Sequence, residues 1–490
     1  MSDPVPTRPH VAVVGGGIAG LTAALEVLEA LPDVDVTVLE AGDRLGGKLR
    51  LEPVAGHLVD VGAESLLALR PEAVELARRV GVEEADLVAP ATTSAALWSR
   101  GALRPLPTGT LMGVPTDPAS ALGVLAADEV ARAADERPWP GGAVTGDVSV
   151  GEYVGHRLGR AVVDRLVEPL LGGVYAGHAD RLSLRATMPA LWERAVRGAS
   201  LLGPGPASGA APSSGDGGPR SPFAGIRGGI GRLPDEVAEA LRVRGALLRT
   251  GATVRGLERV GDRWRLVVGS AADPVALEAD AVVLATPATP TSRLLTALAP
   301  DASAALGEVE TASMAVVTLA VRREGLPDLP GSGFLVPPVE GRAVKASTFS
   351  AAKWGWVGAL SSDVVHLRAS LGRAGEEAVL QRDDADLVTL AVAEIGEALG
   401  TPLPPVVDHH VQRWGGGLPQ YAVGHLERVS RVRADVERLA GVEVAGAAYD
   451  GVGVPAVVAS ATRAARAVVE HLTSAAGVAA TTAAPRGESG

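Results

Sequence analysis

The sequence predicts an α/β protein, and three observations carry that prediction. A short apolar run, Val11-Ala12-Val13-Val14, leads through the loop Gly15-Gly16-Gly17-Ile18-Ala19-Gly20 into a helix-period pattern. A second apolar run from Val34 to Leu39 follows and ends on an acid, Glu40. Far along the chain, a strand at 442–445, a Gly-rich loop and a helix at 455–472 repeat the strand-loop-helix order. A chain of 490 residues exceeds what one core usually holds, so several lobes are expected. They are a Rossmann-like nucleotide-binding domain built from the discontinuous segments 8–75, 223–295 and 405–474, a helical lobe at 76–202, and an α+β substrate-binding domain at 296–404.

In order, residues 11–14 read as a buried parallel strand. Ile18, Leu21, Ala24, Leu25, Leu28 and Leu31 then recur at helical spacing until Pro32 closes the helix, and 34–39 form the next strand. Amphipathic stretches at 71–81, 119–135 and 149–171 predict helices, separated by Pro/Gly-rich breaks near 104–118 and 138–146. Residues 203–222 lack the apolar content needed to offset ordering entropy and read as a disordered insertion, as does the tail 475–490. A helix at 234–244, paired strands at 254–260 and 264–268 around the turn Gly261-Asp262, and a buried strand running from Ala281 into Thr286-Pro287 complete the middle of the chain.

Composition narrows the function. Hydrophobic residues make up 47% of the chain and aromatics only 3%, so Val, Leu and Ala must pack the core. The net charge of -12 argues against a nucleic-acid surface, which needs a concentrated basic face. Nearly all positive charge is Arg, the only lysines being Lys48, Lys345 and Lys353. With no cysteine, disulfides, iron-sulfur clusters, thiolate zinc sites and a cysteinyl-linked cofactor are excluded. The adjacent His409 and His410, on what reads as a strand, point to opposite faces, and no metal site is expected. The start of the chain lacks a signal-peptide pattern, and no stretch approaches a membrane span. A cytoplasmic protein fits, with peripheral membrane contact left open.

The glycine loop has a specific chemistry. Gly15 permits the turn, Gly17 lets backbone approach a pyrophosphate, and Gly20 lets helix and strand pack closely, while the helix start offers free N–H donors. Glu40 sits where a carboxylate accepts hydrogen bonds from ribose hydroxyls. NAD(P) and FAD share this unit. The next segment, Glu40-Ala41-Gly42-Asp43-Arg44-Leu45-Gly46-Gly47-Lys48, places a paired glycine after an acid and an Arg, and resembles FAD proteins of the amine oxidase type.

Four further motifs carry a closer resemblance: Glu168-Pro169-Leu170-Leu171-Gly172-Gly173-Val174-Tyr175-Ala176-Gly177; Leu182-Ser183-Leu184-Arg185-Ala186; Leu418-Pro419-Gln420-Tyr421-Ala422-Val423-Gly424-His425; and Tyr449-Asp450-Gly451-Val452-Gly453-Val454-Pro455. Together they resemble the oxygen-dependent porphyrinogen oxidases of haem synthesis. One departure is His178, where that family usually carries Asp. The family divides into protoporphyrinogen and coproporphyrinogen III oxidases. Leu111-Met112-Gly113-Val114-Pro115-Thr116, Lys345-Ala346-Ser347-Thr348-Phe349 with Lys353-Trp354, and Ala95 in place of a substrate-pairing Arg favour the second, the branch of Gram-positive bacteria.

The resemblance implies non-covalent FAD contacts at Gly15, Gly16, Gly17, Ile18, Ala19, Gly20, Glu40, Ala41, Lys48, Gly62, Ala63, Glu64, Ser65, Val254, Trp414, Val452, Gly453 and Val454. Gly173 and Tyr175 are expected to line the macrocycle pocket. Lys345, Lys353 and Arg368 are expected to meet the four carboxylates of coproporphyrinogen. The implied reaction removes six electrons from a porphyrinogen, two at a time, with O2 reduced to H2O2. Its chemistry centres on the flavin, with no separate catalytic side chain. His425 is expected to act as a structural hydrogen-bonder. The implied partners are the porphyrinogen and O2, with a haem-pathway enzyme also considered, for a monomer or homodimer. The rival readings are protoporphyrinogen oxidation, an amine oxidase, a carotenoid desaturase, and a flavin-binding scaffold without turnover. Scarce aromatics weigh against the amine oxidase, and a desaturase should bury a long apolar tunnel.

Overall fold

The structure is a computed structural model describing residues 8–203 and 221–482. Five parallel strands form the sheet from which the glycine loop departs. His10–Val14 lies at its centre between Asp35–Leu39 and Ala281–Leu284, with Leu247–Arg249 and Val442–Val444 on the edges. Val11 and Val13 face one core, and Ala12 and Val14 face another. A sheet covered on both faces needs a continuous apolar run rather than alternation, which is what 11–14 supplies. On one face lie the helices Ile18–Ala30, Leu233–Val243 and Val454–Thr482. On the other lie the antiparallel strands Val254–Val260, Arg263–Gly269 and Pro274–Ala279, with helices Ala288–Leu295 and Pro300–Gly307.

The second large element is a seven-stranded sheet in the order Val406–Pro419, Thr311–Arg322, Val364–Leu371, Val344–Thr348, Gly333–Leu335, Ala96–Ser99, Ala102–Pro105. All its pairings are antiparallel except Gly333–Leu335 with Ala96–Ser99. Helix Asp384–Leu399 packs on it and stops at Gly400, whose φ of 73° is the left-handed cap that glycine adopts without strain.

This sheet corrects two predicted boundaries. Ala96–Ser99 and Ala102–Pro105 come from the span read as helical. Val406–Pro419, read as opening the last nucleotide-binding segment, pairs along its length with Thr311–Arg322 instead. The short strands carry no local periodicity strong enough to reveal partners more than 200 residues away.

The remaining helices pack around Tyr153, Leu166 and Leu171. The stretch 149–171 is split at Gly159, where φ is 98° and a Cβ would press on Arg132 Cγ at 2.9 Å. The stretch 119–135 resolves into a short turn of helix, Pro118–Ala121, and the helix Ala127–Ala134. At the other end of the chain the final helix runs on to Thr482, into the segment read as a disordered tail. Residues 483–490, and the predicted insertion from 204 to 220, lie outside the described residues.

Candidate cofactor and substrate site

The glycine loop is shaped by contact. Gly15 has φ 110°, and a Cβ there would sit 2.8 Å from the Ala285 carbonyl oxygen; at Gly20 it would sit 1.9 Å from the Gly15 oxygen. Gly17 differs. Its backbone is extended, and a Cβ would meet nothing nearer than Gly47 Cα at 3.9 Å. No side chain caps the helix that starts at Ile18, so its first N–H groups remain available to an anion. The second glycine pair closes over the first: Gly46 N donates to the Gly16 carbonyl at 2.8 Å, and Gly46 bridges Gly17. Arg44 holds that turn by donating to the carbonyls of Leu45, Leu49 and Gly47.

Glu40 stands at the loop as its position in the chain predicts. Its carboxylate accepts from Gly16 N and Gly42 N, each at 2.7 Å, leaving further lone pairs on both oxygens. Ala41 is exposed beside it. Val254 is tied to the same corner, since Ala252 N donates to the Glu40 carbonyl. At the far end of the chain, Gly446 packs against Ala19, and Gly453 precedes the final helix, where a Cβ would meet nothing nearer than Pro455 Cδ at 3.9 Å. Val452 packs on the helical lobe and Val454 on the nucleotide-sheet core, so this loop sits where the two meet. Two helix starts and two open glycines thus form a cradle that fits a dinucleotide.

From this cradle the predicted residues run on as a chain of contacts. Lys48 is exposed, yet protein surrounds it and the resulting desolvation lowers its pKa, as expected for a cation projecting into a concave cleft. Its carbonyl accepts from Ala63 N, and a Cβ on Gly62 would fall 2.0 Å from the same oxygen and 3.2 Å from the Trp414 ring. Trp414 is paired in register with Met314 on the neighbouring strand. Met314 Sδ lies 4.0 Å from Lys345 Nζ, which in turn lies 3.4 Å from the Gly172 carbonyl. Gly173 and Val174 are exposed although their lobe is largely buried, with Leu335 opposite Gly173.

The helix end at Tyr175 meets the Leu418–His425 motif. Tyr175 and Tyr421 rings lie 5.5 Å apart, and Gln420 Nε2 donates to the Tyr175 carbonyl at 2.7 Å. Burial pushes the Tyr175 hydroxyl up to about 12, so it stays protonated. His425 is fully buried and stacks face to face on Tyr421 at 3.8 Å, with the Tyr449 backbone also against its ring. Burial pushes its pKa down to about 4 and keeps it neutral. His178, the departure from the family pattern, lies 3.7 Å from Glu168 and contacts the Ala374 carbonyl at 2.9 Å. The hydrogen bond to Glu168 raises its pKa.

Two of the three predicted substrate cations meet an acid of the protein itself. Lys353 Nζ donates to Glu64 at 2.7 Å and Arg368 Nη1 to the other oxygen of the same carboxylate at 2.7 Å. Their charge is therefore committed to an acid inside the protein rather than held for a substrate carboxylate. Burial alone would raise the pKa of Glu64, but the two cations override it and hold the group well below the usual carboxylate range. Lys345 is different. Only 4% exposed, it has no carboxylate against it among the described residues, and burial, followed by repulsion from Arg373, brings it down to about 7. Sequence reasoning missed Met314 and Leu335, which carry no chemical signature, and the Glu64 cluster, whose members are separated by about 300 positions.

Comparison with known proteins places this geometry. Residues 18–469 match the family model of flavin containing amine oxidoreductases. A coproporphyrinogen III oxidase of Mycobacterium leprae is 39% identical over 94% of this chain and 98% of its own. The chloroplastic protoporphyrinogen oxidase of Nicotiana tabacum is 28% identical over 86% of this chain and 78% of its own. A crystal structure from Exiguobacterium sp. 255-15, provisionally named protoporphyrinogen oxidase, superposes with a TM-score of 0.81 at 30% identity, covering 95% of this chain and 99% of that one. Among the described residues no helix is long and apolar enough to cross a membrane.

Proposed function

The chain belongs to the flavin-containing amine oxidoreductase family, and on that footing we propose that it oxidises coproporphyrinogen III to coproporphyrin III with FAD and O2. One observation carries the choice of substrate: the nearly full-length kinship with coproporphyrinogen III oxidases, which is greater in identity and in coverage than that with the plant protoporphyrinogen oxidase. The porphyrinogen motifs at 168–177 and 418–425 fit the wider family, meeting at the Tyr175–Tyr421 contact, and Lys345 reaches the Gly172 carbonyl of the first.

FAD, when bound, supplies two-electron redox chemistry, so three cycles remove six electrons and return three H2O2. The protein's part is to bind, orient and shield. Backbone N–H groups at the start of the helix Ile18–Ala30 hold the pyrophosphate, with Gly17 and Gly453 giving it room. Glu40 accepts from ribose hydroxyls. Lys48, Gly62 to Ser65, Val254 and Trp414 extend the contact surface along the cofactor, and Val452 to Val454 close it from the other side. Gly173 lets the macrocycle approach the backbone, with Tyr175 behind it as a neutral ring. Lys345 is the one cation of the predicted three whose charge no acid among the described residues neutralises, and its Nζ is able to gain or release a proton near neutral pH.

The test is direct. Purified protein with FAD absorbance should generate porphyrin fluorescence in air faster with coproporphyrinogen III than with protoporphyrinogen IX. Equal or reversed preference rejects the substrate assignment, and lack of flavin absorbance rejects the cofactor.

A further inference from the structure

We propose that Lys353 and Arg368 are positioning residues for the cofactor: they clamp Glu64 from the seven-stranded-sheet side and so fix the turn Gly62-Ala63-Glu64-Ser65 against the paired glycine loops. The inference rests on the FAD reading above and deepens it.

Each bond of the clamp is accounted for. Glu64 Oε1 accepts from Lys353 Nζ at 2.7 Å, and Oε2 accepts from Arg368 Nη1 at 2.7 Å and Ser350 Oγ at 3.1 Å. Lys353 also donates to Ser65 Oγ at 2.7 Å, and Arg368 Nη2 to the Gly62 carbonyl at 2.5 Å. Three of the four residues in the turn are thus gripped by two side chains. Those side chains come from elsewhere, Arg368 from the strand Val364–Leu371 and Lys353 from the helix Ser350–Lys353.

One of the two cations already neutralises Glu64, and the charge of Arg368 is shared with the neighbouring Asp60. Asp60 is held in turn by Ile230 N and Gly231 N, which donate to its two oxygens. The cluster sets two cations against two acids, and its side-chain bonds converge on the turn. The path from clamp to cradle is short: Ala63 N donates to the Lys48 carbonyl, and Gly46, two residues before Lys48, is bonded to Gly16.

The experiment titrates FAD into deflavinated protein carrying Lys353→Met or Lys353→Arg, with apoprotein melting followed in parallel. Loss of a charge-assisted hydrogen bond predicts a Kd for FAD raised about tenfold or more in Lys353→Met. Lys353→Arg should recover most of it, and apoprotein melting should change far less than affinity. An FAD affinity equal to that of the unsubstituted protein, or lost only in step with apoprotein stability, overturns the proposal. If Lys353→Met does not fold, Ser350→Ala, which removes one donor to Glu64, is judged by the same criterion. Failure of the unsubstituted protein to bind FAD overturns the cofactor reading instead.

Discussion

Gly17 and Gly20 lie three residues apart in one loop and answer to different demands. A Cβ at Gly20 would overlap the Gly15 carbonyl, so Gly20→Ala is expected to destabilise the apoprotein by about 1–3 kcal/mol. At Gly17 the backbone is one any residue adopts and the space is open, so Gly17→Ala should leave apoprotein stability within about 1 kcal/mol. The same methyl would stand where the pyrophosphate belongs and weaken FAD binding by about tenfold or more. Melting curves and FAD titrations of the two variants check both halves, and equal FAD affinity in Gly17→Ala would place the pyrophosphate elsewhere. The role of Gly17 was legible in the sequence because strand, turn, helix and acid fall within 30 residues of it. The partner of Lys353 was not, since nothing local to Lys353 points to an acid 289 positions away.

Between elements, the junction of the strand Val344–Thr348 with the helix Glu168–Tyr175 holds Lys345 against a carbonyl in the last turn of that helix. A cation is favoured there by the helix dipole, yet too weakly to offset its burial. Its pKa of about 7 lies below the unfolded value near 10.5, so the folded protein binds fewer protons between those limits. The cost of Lys345 is thus present in full below about pH 7 and fades as pH rises toward 10.5. Lys345→Met should therefore melt higher than the unsubstituted protein at pH 6.5, by roughly a few degrees, with the gain shrinking by pH 9.5. A gain independent of pH would mean that Lys345 is not a strained buried base. The same variant should raise the KM for coproporphyrinogen III. Sequence pattern located the helix but not its neighbour, because Val344–Thr348 shows no clean alternation: both faces of that strand are covered, one by the helical lobe and one by the sheet's own helix.

On the scale of the molecule, the cradle draws on segments from both ends of the chain and its middle, and FAD bridges them. Binding only to the folded state, FAD at 100 times its Kd should add about 2.7 kcal/mol, read as a higher melting temperature that tracks FAD concentration. A melting temperature indifferent to FAD would contradict a cofactor held at that junction. The strand and helix on either side of each glycine loop were legible because the loops mark where one ends and the other begins. The seven-stranded sheet was not, since Gly333–Leu335, Ala96–Ser99 and Ala102–Pro105 are short and its longest strand, Val406–Pro419, mixes polar with apolar side chains and carries three consecutive glycines.

The central strand His10–Val14 precedes by more than 400 residues the strand Val442–Val444 that completes its sheet and the helix from Val454 that roofs it. At a synthesis rate of about 5–20 residues per second, the amino-terminal strand and helix wait roughly 20–90 s on the ribosome for those partners. Val11, Val13, Leu21 and Leu25, fully buried at the end, lack through that interval the part of their core that Val457 to Leu472 supply. The order in which the chain is made thus leaves its best-formed binding loop, in a nascent protein, resting on its least-finished core.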